Sequence, residues 1–253
     1  MARINGWCYF FSKPAFFNQN DINDCCVTYD TDILLDDIAR LNGCNDVERT
    51  RNFLKDNHAD LVSQVENHKN EIRNNIRIGC FTSTSPNELE MWSNPYFRDD
   101  HKGFCMEYKV SEEMFFPDPM VFLKINYCDE KFDFTDVMMN LNRYCHSNHE
   151  SYLYKVVCNG QKFTLFKPVS YQNENEWRVI VTKNRWKSYF DINHSDKKDF
   201  RKSIKAIYLG AESIEEPGYM EYKKYAEESC RENDIALYQM KYTEHGLAKE
   251  ELI

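Results

Sequence analysis

The chain has 253 residues, 42% hydrophobic and 15% aromatic, which is enough apolar surface for one packed domain and excludes a disordered chain. Asp and Glu outnumber Lys and Arg by 41 to 32, and the resulting net charge of −9 repels phosphate backbones and anionic membrane surfaces. The 8 glycines are widely scattered, so neither the three-glycine dinucleotide turn nor a P-loop is present, nor is a Gly-x-Ser-x-Gly elbow or a His-Glu-x-x-His helix.

Residues 7–12 read as a short aromatic strand stopped by Lys13-Pro14, and Asn18-Gln19-Asn20-Asp21 as a polar loop. Asp46 is placed to cap a helix running to about Asn74. Its apolar stripe is Val47, Phe53, Leu54, Leu61, Val62, Val65 and Ile72, with a break near Asn57-His58. Residues 77–84, 103–110 and 121–127 read as strands. Helical spacing returns over 134–157, with Val137, Met138, Leu141, Tyr144 and Cys145 on one side. Residues 163–166, 174–182 and 204–209 read as further strands, the last closed by Gly210. Pro217 opens a helix to about Asn233, and residues 235–242 form a terminal strand. The mixture lacks a βαβ rhythm, which predicts an α+β fold with antiparallel sheet, as a single domain over 1–253.

Ten cysteines lie scattered among apolar residues without a Cys-x-x-Cys pair, the pattern of reduced thiols; even adjacent Cys25 and Cys26 are expected to stay open. The apolar run at residues 7–11 is too short for the core of a secretory leader, and no stretch is long enough to span a bilayer. The expectation is a soluble, cytoplasmic protein.

Two short segments carry chemistry. In Glu174-Asn175-Glu176-Trp177-Arg178, a strand reading puts Glu174, Glu176 and Arg178 on one face, so two carboxylates open a core strand. The plainer reading is a solvated strand start with Glu176 paired to Arg178. In Cys80-Phe81-Thr82-Ser83-Thr84-Ser85-Pro86, the three hydroxyls of Ser83, Thr84 and Ser85 end a strand. Taken alone they cap the next helix, with Glu88 suitably placed for a capping box.

The order of these segments resembles the arginine-type ADP-ribosyltransferases, whose core motifs are a first-strand Arg, a Ser-Thr-Ser strand and a Glu-x-Glu strand. The resemblance implies an ADP-ribosyltransferase-like split antiparallel β-sheet core with flanking helices that binds NAD without a glycine-rich loop. It implies Glu176 facing the oxocarbenium-like centre formed when the nicotinamide–ribose bond breaks, and Glu174 polarising an acceptor. It further implies that Ser83 orients the ribose beside Thr84 and Ser85, that Trp92 or Tyr96 stacks on nicotinamide, and that His101 and Arg178 complete the binding set. The plainer reading of such an aromatic beside a sheet is core packing.

The whole chain also resembles a bacterial family, domain of unknown function 2971. The carrying residues are Tyr9-Phe10-Phe11-Ser12, Phe17-Asn18, Cys80-Phe81, Met91-Trp92, His101-Lys102-Gly103-Phe104-Cys105, Glu174-x-Glu176-Trp177-Arg178 and Ile207-Tyr208-Leu209-Gly210. The family name assigns no function. Analogy with similar bacterial domains implies an NAD-using effector of toxin or phage-defence systems. Its acceptor would be protein or nucleic acid, with an antitoxin-like protein partner and no membrane.

Three rivals stand beside this reading. Arg3 is the only arginine ahead of the strand at 7–12, which fits a non-catalytic sensor or interaction module that keeps the fold. Glu107-x-Lys109 after Asp99-Asp100 echoes a metal-dependent nuclease, against which the net charge argues. Cys145-His146-x-x-His149 offers zinc-type ligands but no fourth one, so no metal is expected. Lys197-Lys198 and Lys223-Lys224 read as solvated faces.

Overall fold

The computed structural model describes residues 26–44, 46, 48–49, 52, 58–92, 101–109, 121–182 and 203–253. The predicted strand at 7–12, Arg3, Tyr96, Asp99-Asp100 and Lys197-Lys198 lie outside these residues.

Strand β1 (Val27–Thr28) leads into helix α1 (Thr31–Leu41), which the sequence reading passed over. Asp30 is its N-cap, accepting the Ile33 amide at 3.0 Å, and Leu34, Leu35 and Ala39 form its buried stripe. Helix α2 (His58–Asn75) runs without a loop into β2 (Ile76–Thr82), followed by the one-turn α3 (Leu89–Trp92). Next come β3 (Phe104–Tyr108), β4 (Val121–Lys124), β5 (Asn126–Tyr127) and β6 (Phe132–Asp133).

The helix expected over 134–157 is two helices, α4 (Thr135–Ser147) and α5 (Glu150–Gly160). Asn148 ends the first in the left-handed region (φ 54), which Asn tolerates better than most side chains, and the His149 ring then caps the second by accepting the Ser151 amide. The strand expected over 163–166 is mostly a 3-10 turn, Lys162–Leu165, with only β7 (Phe166–Lys167) extended. A second 3-10 turn, Val169–Glu174, precedes β8 (Glu176–Thr182). Strand β9 (Ile204–Leu209), α6 (Tyr219–Glu232), β10 (Ala236–Thr243) and β11 (Gly246–Glu251) complete the chain. The expected terminal strand is therefore the first arm of a hairpin.

The fold is mixed α+β. One sheet has the order β2-β8-β4 and is wholly antiparallel; the other has the order β11-β10-β9-β3. In the latter, β9 and β10 are parallel and joined through α6, one βαβ unit that corrects the expectation of antiparallel sheet alone. Two-residue parallel ladders, β1 with β6 and β5 with β7, sit beside the sheets.

On one face of the first sheet, Ile78 meets Leu34, Leu35, Val65, Val137, Met138 and Val156 from the helices, with Phe134 and Phe163. On its other face, Phe81 packs on Phe122 and edge-on against Tyr108 of β3, linking the two sheets. Helix α6 buries Ala226 and Cys230 on Ile204, Ile207, Leu209 and Leu237 of the second sheet. Each fully buried side chain of Val, Leu or Phe size contributes roughly 1.5–3 kcal/mol.

The end of β9 passes very close to the chain ahead of β3. The Gly210 amide donates to Gly103 O at 2.9 Å, and a Cβ at 210 would stand 2.0 Å from the carbonyl oxygen of His101. Among the described residues, Cys26, Cys44, Cys80, Cys105, Cys128, Cys145 and Cys230 form no disulfide. Among the described residues, no helix is long and apolar enough to cross a membrane.

Candidate functional site

The ladder between β2 and β8 sets Thr82 opposite Glu176, Phe81 opposite Trp177 and Cys80 opposite Arg178. Cross-strand partners share a face, so Cys80, Thr82, Glu176 and Arg178 lie on the face that the helices cover. The Ser-Thr-Ser strand end and the Glu-x-Glu strand start are therefore neighbours.

Beyond the last ladder pair the two strand ends are latched together. Thr82 Oγ1 donates to the Glu174 carbonyl at 2.6 Å, and the Ser83 amide donates to the Asn175 carbonyl at 3.2 Å. Ser83 Oγ reaches the same carbonyl at 3.4 Å, and Asn175 Nδ2 donates to Thr84 Oγ1 at 3.4 Å. Ser85 serves the next turn instead, its hydroxyl accepting the Asn87 amide at 3.3 Å.

Glu174 lies outside the strand, because Asn175 takes a left-handed conformation (φ 45) between the 3-10 turn and β8. The expected single face thus holds for Glu176 and Arg178 and not for Glu174. Lys167 brings Glu174 back to the cluster: its Nζ stands 2.6 Å from Glu174 Oε2 and 3.1 Å from Glu176 Oε2. The same ammonium sits 4.7 Å from the centre of the Tyr171 ring.

Two small ladders position these groups. Pairing of β5 with β7 sets Tyr127 beside Lys167, and the Ile125 amide donates to the Glu176 carbonyl at 3.0 Å. The Glu176 amide in turn donates to Tyr127 Oη at 2.7 Å. Burial raises the Tyr127 phenol above its ordinary value, so it remains a neutral acceptor there.

Glu176 is 4% exposed and Arg178 0%, so the solvated pair of the plainer reading is a buried one. Arg178 Nε donates to Glu176 Oε1 at 2.7 Å, Nη2 approaches Oε2 at 3.4 Å, and Nη1 donates to the buried Thr164 carbonyl at 2.6 Å. Burial by itself pushes the Glu176 carboxyl up. The Arg178 guanidinium and then the Lys167 ammonium outweigh it, and with a hydrogen bond from Cys80 they hold the carboxyl at about 2. Desolvating these charges is costly and is offset only because several charge-assisted bonds form at once.

The aromatic and histidine candidates lie elsewhere. Trp92 is fully buried with Met91 against Ala206, Tyr208 and Met240, and its Nε1 donates to the Pro86 carbonyl at 2.8 Å. It anchors the turn after Ser85 as a core residue. His101, at positive φ (66), stacks on Trp92 at 6.0 Å and approaches Tyr242 at 5.5 Å. The ring beside the carboxylates is Tyr171. Helix α3 nevertheless packs on the 3-10 turn that carries Tyr171 and Glu174, so the two groups of residues are adjoining.

Glu107, considered for nuclease chemistry, accepts from Lys205 at 2.6 Å and from Tyr208 Oη at 2.5 Å. His149 is engaged as the α5 cap, and its Nδ1 lies 2.8 Å from Ser151 Oγ. Among the described residues, no three His, Cys, Asp or Glu side chains are grouped to hold a metal ion.

Sequence reasoning missed Lys167, Tyr127 and Tyr171. Lys167 had a local signal: it is the one charge between Phe163-Thr164-Leu165-Phe166 and Pro168. Comparison with family models, curated proteins and solved structures finds no match for the chain, so the chemistry of the site rests on its own geometry.

Proposed function

We propose that the chain is an ADP-ribosyltransferase-like enzyme whose site lies where the ends of β2 and β8 meet. The observation that carries this reading is the register: Thr82 opposite Glu176, with Ser83 and Thr84 latched to Glu174-Asn175. A core divided between a sheet bearing both motifs and a second, helix-covered sheet supports the split-sheet architecture that the resemblance implies.

In this reaction the bond between ribose C1′ and the nicotinamide nitrogen breaks, and its electron pair leaves with nicotinamide, which becomes neutral. The positive charge passes to the ribosyl oxocarbenium-like centre. An acceptor oxygen or nitrogen then bonds to C1′ and loses its proton. A carboxylate facing the centre stabilises the transition state more than the ground state. Glu176 stays ionised at any ordinary pH. Glu174, whose side chain is 20% exposed, takes the acceptor's proton in this reading. The resemblance extends the proposal to a bacterial effector of toxin or phage-defence type, with a protein or nucleic-acid acceptor.

One observation favours a second reading, a non-catalytic module. Both Glu176 oxygens already accept from cations, Arg178 and Lys167. Release of nicotinamide from NAD separates the two. The enzyme reading expects turnover by the parent protein and a loss of about a hundred- to thousandfold in Glu176→Gln. Glu174→Gln should impair transfer to an acceptor more than hydrolysis. A parent protein that releases no nicotinamide leaves the module as the function.

A further inference from the structure

We infer that Lys167 determines the charge specificity of this site, its ammonium occupying the seat that a cationic ligand group would take. Three walls define that seat. Glu174 Oε2 and Glu176 Oε2 lie 2.6 and 3.1 Å from Nζ, and the face of Tyr171 lies 4.7 Å away. Two carboxylates and an aromatic face are the groups that recognise an organic cation. Here the occupant belongs to the chain itself. The inference rests on the reading above, in which the ligand carries its positive charge on the nicotinamide ring.

The fixed ammonium acts against such a ligand in two ways. It fills the space between the carboxylates, and it places a like charge where the ligand's cation must approach. The positive charge is already present in the ground state of the substrate, so Lys167 should weaken binding more than it slows bond breaking. Removing it need not unravel the cluster. Glu176 keeps the Arg178 guanidinium on both oxygens, and Glu174 retains access to water.

The test uses Lys167→Met, which keeps the aliphatic stem, Lys167→Gln, which keeps a donor, and Lys167→Arg, which keeps the charge. Calorimetric titration with 1-methylnicotinamide, a cation, and with neutral nicotinamide reads the seat without requiring turnover. The Met variant, or Gln should Met fail to fold, should bind the cation at least tenfold more tightly than the parent. Affinity for neutral nicotinamide should change little, and the Arg variant should behave as the parent. Equal affinity of the parent and both neutral variants for the cation overturns the inference. Tighter cation binding without nicotinamide release from NAD in any variant supports the seat and overturns the enzyme reading. With turnover present, a lower KM for NAD in the neutral variants supports both, whereas an unchanged KM counts against the role of Lys167 alone.

Discussion

The two sheets each bury a polar network where strands end, and they do so with opposite chemistry. Under the helices, the sheet of β2, β8 and β4 encloses charges: Glu176, Arg178 and Lys167. In the neighbouring sheet the corresponding group is a neutral amide. Gln239 on β10 donates to the carbonyls of Gly210 and Met240 at 2.8 and 3.1 Å, and its Oε1 accepts from Tyr219 Oη at 2.7 Å. Both networks tie a strand to an adjoining turn. In acid only the charged one makes stability depend on pH, and only there does loss of one partner strand an ion in the interior.

The largest expected effect follows from that difference. Arg178→Met leaves Glu176 buried with Lys167 as its remaining cation and should cost about 3–5 kcal/mol by urea denaturation at pH 7. The parent protein should show the same network in its acid limb. Glu176 titrates near 4.5 when unfolded and at about 2 when folded. Its contribution is therefore complete above about pH 4.5 and is lost as pH falls toward 2, a change of roughly 3 kcal/mol. A parent protein whose stability is flat over that window would break the comparison.

A smaller effect, of different character, belongs to the neutral network. Gln239→Leu removes the partner of Tyr219 and of two buried carbonyls, and should cost about 1–3 kcal/mol. The cost should be equal at pH 7 and pH 4; growth of the penalty in acid would mean that the two networks are coupled. The smallest effect isolates burial from charge. Lys224 and Glu228 form a pair at 4.0 Å on the exposed side of α6, and Lys224→Ala should change stability by less than about 0.5 kcal/mol.

The sequence makes β2 visible through weak alternation and β8 through the apolar pattern after Glu176, and the order of their motifs anticipates the contact between their ends. What it hides is set by partners far along the chain or by single backbone conformations. Asp30 and the helical spacing of Leu34, Leu35, Ile38 and Ala39 mark helix α1 in the sequence; what they do not show is a partner for Asp37. Asp37 is in fact buried against Arg143 of α4 at 2.8 Å, a partner 106 residues away. The break between α4 and α5 depends on one left-handed residue, Asn148, and the exit of Glu174 from its strand depends on another, Asn175. The hairpin of β10 and β11 turns through Glu244-His245 and reaches Gly246 at φ 120, without the Asn-Gly signal that marks tight turns. The isolated charge of Lys167 is visible, but its partners are not, because the two-residue ladder with β5 is what brings it to Tyr127 and the carboxylates.

The close approach at Gly210 also bears on how this chain can change over evolutionary time. At Gly160, the nearest atom to an added Cβ is the Ile72 Cδ1 at 3.0 Å, so a shorter side chain at 72 would make room. Compensation by a second substitution is open there. At 210 the obstacle is main chain, the carbonyl of His101, and the main chain is the same whatever residue stands at 101. No second-site exchange of side chains can relieve it. Position 210 is thus closed to the paired drift that lets cores diverge, and the crossing of β9 with the start of β3 is fixed by the path of the backbone itself.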